Sequence, residues 1–319
     1  MSRKIAALSL FIFAFLGLAV LTAQAEDNRY RLSEEVAFSA NGTDYHERVC
    51  VIDTNGDARV TAADARTLLR ASARLETLPG PDEDYDADGD GRITAADARL
   101  VLRISAHLET MYATADGKLP VGVIAADDGK LRYFDRNGSL ADGSGYHGYD
   151  LYLFEKGAPV TNRTVGDFTY GANGVATTRL INENTLQWQL RQILKKNGDS
   201  YRDVYRYMGS FTYAVKPNDT QANLCMTMLK TGRGSCYHYA ALTKALLDEA
   251  GYETYLVPGK SMHGDDGDHQ WVLVKVDGAW RHMDAQYSVY RNVEPILMTD
   301  ALAKSRGYRW NAAGLPAAE

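Results

Sequence analysis

The sequence predicts an α+β protein of several domains, and three features carry that expectation. A loop-and-helix unit occurs twice between residues 53 and 108. Residues 112–178 are rich in Gly, Asp, Asn and Tyr and hold short β-like runs. From Asn184 to Lys195 and again from Gln221 to Lys230 helical periodicity returns, and apolar strand patterns follow. The 319 residues, 45% apolar with a formal net charge of −6, allow two or three domains. Basic runs are lacking, which argues against a nucleic-acid partner. The expected divisions are a leader over 1–25, an N-terminal extension over 26–48, a small all-α unit over 49–111, a β-hairpin-rich segment over 112–178 and an α+β domain over 179–319.

At the N-terminus Arg3 and Lys4 precede an apolar stretch from Ile5 to Thr22, then Ala23-Gln24-Ala25. That order reads as a secretory signal cut after Ala25, with an uncleaved anchor as the alternative. Three cysteines in an exported chain leave one over. Pairing Cys225 with Cys236 would block a nucleophile, so Cys50, Cys225 and Cys236 are expected as thiols, which suits reducing surroundings. Twenty tyrosines against eight phenylalanines suit wet, aromatic surfaces of the kind that carbohydrate- or peptide-binding proteins expose.

The first duplicated loop places Asp53, Asn55, Asp57 and Asp64 at positions 1, 3, 5 and 12, the Arg59 carbonyl at 7 and Thr61 at 9. The second repeats this with Asp86, Asp88, Asp90, Asp97, the Arg92 carbonyl and Thr94. Six to eight hard oxygens suit calcium, and carboxylates cluster this closely only when a cation neutralises them. Each loop ends in Asp where an EF-hand has Glu, and a good entering helix is missing before both. The pattern resembles a type I dockerin, the loop–helix module that docks onto cohesin domains of a cellulosomal scaffold. The resemblance implies two Ca2+ ions, a cohesin partner, and a secreted, cellulosome- or cell-surface-associated protein. It also implies partner contacts at positions 10 and 11, here Ala62-Ala63 and Ala95-Ala96; identical copies would allow docking in either of two orientations. Arg66, Arg70, Arg99 and Arg103 either frame that face or are solvated charges. Position 6 is Gly91 in the second loop but Ala58 in the first, where a left-handed backbone would cost roughly 1 kcal/mol.

The middle segment contains Asp128-Gly129 to Gly138, then Tyr149 to Gly157, and a weaker echo from Phe168 to Gly174. Short hairpins with paired aromatics and turn glycines resemble cell-wall or glucan-binding repeats, which would imply a cell-wall glycan partner. The competing expectation is a β-rich extension packed on the domain that follows.

That domain centres on Gly234 to Asp284. Cys236 opens a run with Tyr239, Leu242, Leu246 and Ala250 at helical spacing, and Gly251 stops it. A helix start favours a negatively charged sulfur. Further on, Trp271–Val276 and Ala279–Met283 flank Asp277-Gly278, a two-residue hairpin turn. This register pairs 276 with 279, 271 with 284 and 269 with 286, so His269 and Asp284 become diagonal neighbours. Cysteine, histidine and carboxylate together suit thiol nucleophilic catalysis. His238 is expected on the helix surface or a pocket wall, and His282 on the strand face opposite Asp284. Trp271 and Trp280 are candidate cleft walls or core residues. The loop 261–268 is read as an acidic cleft lip, with His263 as a less favoured metal ligand.

Gly234-x-Cys236-x-x-Tyr239-Ala240, the strand over 252–259, His269-x-Trp271, Trp280 and Asp284 resemble the transglutaminase-like superfamily, whose fold is papain-like. Ala285-Gln286 departs from that pattern and leaves the substrate subclass open. The resemblance implies a cysteine peptidase, amidase or acyltransferase acting on protein amide bonds without a cofactor for the catalytic step. Cys236 would be the nucleophile, His269 the proton carrier and Asp284 the orienting carboxylate. The alternatives are a non-catalytic binding or architectural module anchored by the dockerin, and a polysaccharide hydrolase, for which no convincing carboxylate pair stands out.

Overall fold

The computed structural model describes residues 29–261, 267–290 and 296–319, and these divide into two compact units. The expected leader and much of the 261–268 loop, His263 included, lie outside the described residues. Among the described residues no helix is long and apolar enough to cross a membrane. The chain has mixed α and β elements throughout.

Strands β1 (Tyr30–Ala40) and β2 (Thr43–Cys50) occupy the region read as an N-terminal extension. The first unit comprises residues up to Ser33 together with Arg48–Thr110. Its two loops lead into α1 (Ala62–Ser72) and α2 (Ala95–Ser105). Each helix starts with the same capping box, Thr61 with Asp64 and Thr94 with Asp97, so one residue both caps the helix and closes the loop. Leu68 and Val101, at equivalent positions, are fully buried. Before the second loop stands only a short 3-10 turn, Asp82–Asp84.

The second unit comprises Glu34–Glu47 and Met111–Glu319. Strand β3 (Met111–Ala113) opens its main part. The hairpin-rich segment then forms three small sheets: β4 (Gly122–Ala125) with β5 (Leu131–Phe134); β6 (Gly143–His147), β7 (Asp150–Glu155) and β8 (Ala158–Pro159); β9 (Arg163–Val165), β10 (Phe168–Tyr170) and β11 (Ala176–Thr177). One inward aromatic per sheet, Phe134, Phe154 and Tyr170, is buried. The segment packs on helix α3 (Leu186–Asn197). There Lys195 Nζ meets Asp150 Oδ1 at 2.7 Å, Gln192 Nε2 donates to the Tyr149 carbonyl at 3.0 Å, and Trp188 lies edge-on to Phe168.

Helix α4 (Tyr201–Met208), the short parallel pair β12 (Thr212–Tyr213) and β13 (Arg233–Gly234), and helix α5 (Gln221–Thr231) surround α6 (Cys236–Glu249). They pack on a sheet of β14 (Thr254–Lys260), β15 (Asp268–Val276), β16 (Ala279–Met283) and β17 (Arg309–Trp310), in the order β16-β15-β14-β17. Helices α7 (Ala285–Tyr290) and α8 (Asp300–Ser305) complete the unit. Strand β15 is covered on both faces, so Trp271, Val272, Leu273 and Val274 are all buried instead of alternating. Val272 and Val274 join the core of α3 to α6, while Trp271 and Leu273 meet Tyr308, Met298 and Ala303.

Gly259 marks the tightest crossing. A Cβ there would lie 2.3 Å from the Arg309 carbonyl oxygen and 2.7 Å from the buried Trp271 ring. Gly259→Ala is therefore expected to cost about 2 kcal/mol by overpacking. A lowered midpoint in denaturant unfolding would register it, and an unchanged midpoint would show that β17 does not cross β14 there.

Candidate active site

Cys236 is the first helical residue of α6, as its sequence context predicts. The preceding Ser235 is the N-cap in position only. Its hydroxyl engages His238 Nδ1 at 3.0 Å and bonds no backbone N–H. The first N–H groups of the helix, that of Cys236 included, have no carbonyl in their own helix to bond. Gly234 is needed here because a Cβ would come within 2.4 Å of His238 Cβ. His238 is 2% exposed, so the helix-surface expectation for it fails: the ring is buried against the start of the helix. Burial pushes its imidazole pKa down.

The hairpin that brings the other two residues together forms in the expected register. Asp277 and Gly278 have φ of 50° and 80°, the left-handed pair a tight hairpin turn requires, and Val276 pairs with Ala279. The last pair of the ladder is Val272 with Met283. The expected pairing of 269 with 286 is not made, because the chain leaves β16 and begins α7 at Ala285. Asp284 thus sits at a strand-to-helix junction, where its carboxylate can turn toward His269.

His269 Nε2 lies 2.6 Å from Asp284 Oδ2, and both residues are buried. The same oxygen accepts the Tyr308 hydroxyl at 2.7 Å, and Oδ1 accepts the Gln286 N–H at 3.1 Å. The other ring nitrogen, Nδ1, is buried without a well-formed hydrogen bond. The Cys236 thiol acts on the same imidazole from α6. Burial by itself would lower the His269 pKa, but the Asp284 charge and the bonds to Asp284 and Cys236 carry it up to about 10. Burial would likewise raise Asp284, yet the facing imidazolium and the bonds from His269, Tyr308 and Gln286 hold it below the usual carboxylate range. Across neutral pH the pair is an ion pair. Its Asp284 half stabilises the fold above the ordinary carboxylate range and is lost in acid; its His269 half is lost as pH rises through about 10.

His282 was expected on the opposite face from Asp284, and the structure corrects this. Residues 282 and 284 are two apart, so they share a side, and His282 faces Trp271 across the hairpin. Trp271 Nε1–H donates to His282 Nδ1 at 2.9 Å, which leaves the proton on Nε2, 2.9 Å from Asp300 Oδ1. Trp271 then stacks on His269, with ring centroids 5.8 Å apart and an interplanar angle of 25°. Of the two readings for Trp271 the structure takes the core one. Trp280 is half-buried beside Tyr255. Tyr308 and Asp300 went unnoticed in the sequence: they belong to the last twenty residues, which carry no motif or periodicity pointing at Asp284 or His282.

In the first unit both loops wrap their leading aspartate. Asp53 accepts the Gly56, Asp57 and Ala58 N–H groups, and Asp86 accepts those of Gly89, Asp90 and Gly91. Asn55 and Asp57 face one another, as Nδ2 and Oδ2, at 3.2 Å. In the second loop, oxygens of Asp86, Asp88 and Asp97 lie within 4.8 Å of each other. Burial, then the neighbouring charges of Asp97, Asp90 and Asp86, raise the Asp88 pKa, a crowding that a divalent cation would relieve. The residue set fits calcium. Ala58 has φ of 63°, the left-handed backbone its position demands. Ala62, Ala63 and Ala95 are exposed and Ala96 is half-buried at the first turns of α1 and α2. Arg70 and Arg103 are tied to Glu76 and Glu109, each at 2.7 Å.

His282 generates a pH prediction. Burial, outweighing the bond to Asp300, lowers its folded pKa below 6.5. A depressed pKa contributes stability that is present above 6.5 and is lost as pH falls through the folded value. Unfolding midpoints measured downward from pH 6.5 are therefore expected to fall less steeply in His282→Gln than in the parent; equal slopes would contradict the neutral, Trp-bonded ring.

The unit is a mixed α and β fold that brings a thiol, an imidazole and a carboxylate together. Residues 186–285 match the model of the transglutaminase-like superfamily, and residues 51–104 match that of the type I dockerin domain. The chain thus carries a type I dockerin followed by a transglutaminase-like domain. No curated protein matches it. Among solved structures it is similar to a candidate cysteine protease from Cytophaga hutchinsonii, at 18% identity over 44% of this chain and 47% of that one, with a TM-score of 0.29. A candidate protease from Parabacteroides distasonis is 15% identical over 30% of this chain and 22% of that one, TM-score 0.23. The periplasmic domain of TgpA from Pseudomonas aeruginosa is 17% identical over 39% of this chain and 63% of that one, TM-score 0.25. The match spans less than two thirds of each of these chains.

Proposed function

We propose that this is a secreted, scaffold-docked cysteine enzyme that cleaves or transfers protein amide groups through a thioester on Cys236. The observation that carries the reading is the short, buried His269–Asp284 bond, with Nδ1 of the same ring left without a well-formed hydrogen bond and Cys236 acting on it. The proton of the Cys236 thiol rests on His269, already a cation beside Asp284, and the sulfur attacks the amide carbon as the thiolate, so that a C–S bond forms and the carbonyl π pair moves to oxygen. The Cys236 N–H, at the positive end of α6, is placed to receive that oxyanion. His269 then protonates the leaving nitrogen as the C–N bond breaks and the thioester forms. In the second half His269 takes a proton from the acceptor, which attacks the thioester and releases the sulfur. Water as acceptor gives hydrolysis; a primary amine gives transfer. Hydrolysis is the favoured outcome for an extracellular chain bathed in water. Asp284 keeps Nε2 of the ring engaged and balances the imidazolium.

In the same reading the dockerin binds two calcium ions through Asp53, Asn55, Asp57, the Arg59 carbonyl and Asp64, and through Asp86, Asp88, Asp90, the Arg92 carbonyl and Asp97. Calcium would hold the two loops in shape, and the Ala62-Ala63 and Ala95-Ala96 turns would meet a scaffold cohesin.

The test is mass spectrometry of proteins secreted by the same culture after incubation with the parent or Cys236→Ala, plus a labelled primary amine. New peptide termini, or glutamines heavier by about one mass unit, that depend on Cys236 are expected. Label incorporated only with the parent would instead establish amine transfer. An unchanged secretome together with a Cys236 thiol no more reactive than a free cysteine would overturn the enzymatic reading in favour of a binding module. For the calcium loops, Ala58→Gly is expected to tighten the first site about five-fold, the equivalent of roughly 1 kcal/mol of relieved strain. Calorimetric calcium titration reads this, and identical affinities would show that the Ala58 backbone does not weaken the first site.

A further inference from the structure

We propose that Tyr308, carried by the C-terminal segment, is a positioning residue that fixes the rotation and the basicity of the Asp284 carboxylate facing His269. The inference rests on the proposed roles of His269 and Asp284 and extends them to a residue outside the 186–285 match.

The argument is one of lone pairs. A carboxylate oxygen offers two in-plane acceptor directions. On Asp284 Oδ2 one is taken by His269 Nε2 at 2.6 Å and the other by the Tyr308 hydroxyl at 2.7 Å, while Oδ1 takes the Gln286 N–H at 3.1 Å. Three donors from three chain segments leave the group no second rotation that keeps all of them. Burial and the adjacent Asp284 charge raise the Tyr308 phenol far above its ordinary range, so it stays a donor throughout. Each donated bond favours the charged carboxylate, so losing one makes Asp284 easier to protonate.

The phenol is held from several directions. The Tyr308 backbone N–H donates to the Ala303 carbonyl at 3.1 Å, and the ring is edge-on to Trp271 at 5.0 Å. The next two residues pair with β14, Arg309 with Lys260 and Trp310 with Gly259, where the missing Cβ permits the approach. The segment is closed on itself where the Asp300 N–H donates to the Ala318 carbonyl at 2.7 Å and the Ala318 N–H returns to Asp300 Oδ1 at 3.2 Å. The titratable groups around Asp284 and Tyr308 are His269 on β15, Cys236 on α6 acting through His269, Tyr287 on α7 and Arg306 beyond α8.

The test compares the full chain with Tyr308→Phe and with 3-fluorotyrosine placed at 308 alone. The first variant removes the donor, and the second supplies a more acidic and therefore stronger one. Two readouts are followed against pH: the ring-nitrogen NMR shifts of His269, and the alkylation rate of Cys236. Tyr308→Phe is expected to move the acidic inflection of the His269 shifts, where Asp284 takes up its proton, upward by roughly one pH unit. The fluorotyrosine form is expected to move it downward, with a melting curve close to that of the parent. An inflection that stays in place in both variants would reduce Tyr308 to packing, even if stability or overall rate fell. The nitrogen shifts read Tyr308 whether or not the thiol reacts. The alkylation of Cys236 in His269→Ala reads the function separately, since an unaltered rate there overturns the proposed triad and leaves the Tyr308 result standing.

Discussion

The transglutaminase-like domain depends on keeping one buried carboxylate ionised. Asp284 is buried, and an uncompensated charge there would cost several kcal/mol. It is held by three donors that reach it from β15, the start of α7 and the C-terminal segment. The cost of burying the charge is thereby distributed over elements that also build the sheet. One consequence follows for His269. Burial alone would favour a neutral ring, and the adjacent carboxylate, with the Cys236 thiol, keeps it a cation.

A second layer supports the first. Behind His269 stands Trp271, and behind that the chain His282 to Asp300 to the tail at Ala318. The indole has a single donor and spends it on His282 Nδ1, which sets that ring's tautomer and hence its bond to Asp300. Two buried histidines on one face therefore have opposite electrostatics. His269 is raised because its buried carboxylate and thiol partners outweigh burial; His282 is lowered because burial outweighs its bond to the half-buried Asp300.

The dockerin region follows a different economy. Each of its halves uses one aspartate, Asp64 or Asp97, to close a loop and to cap a helix. The two copies are nearly superposable in sequence, down to the ion pairs Arg70–Glu76 and Arg103–Glu109. Among the differences between the copies, Ala58 stands where the second has Gly91, and its φ of 63° shows that the backbone keeps the glycine-like conformation although the glycine is gone.

Much of this was legible in the sequence because it rests on local spacing. The calcium-type loops, the helix beginning at Cys236 and the Asp277-Gly278 turn are each set by residues within a dozen positions of one another, and the hairpin register follows from that turn alone. Register in turn put His269 near Asp284 before any coordinates. What spacing could not supply was parity beyond the ladder's end and contacts from far along the chain. The 269-with-286 pairing failed because a helix began at Ala285, a competition between strand and helix that is settled by packing. His282 was misplaced by a parity error that the register itself contradicts. Tyr308 and Asp300 were invisible because their partners lie 24 and 18 residues away, across a fold that only tertiary packing assembles. The sequence by itself determined which groups would meet across a turn or along a helix. The tertiary structure alone decided which distant donors would hold the carboxylate, because a hydrogen bond to a buried charge is specified by three-dimensional enclosure and leaves no periodic trace in the chain.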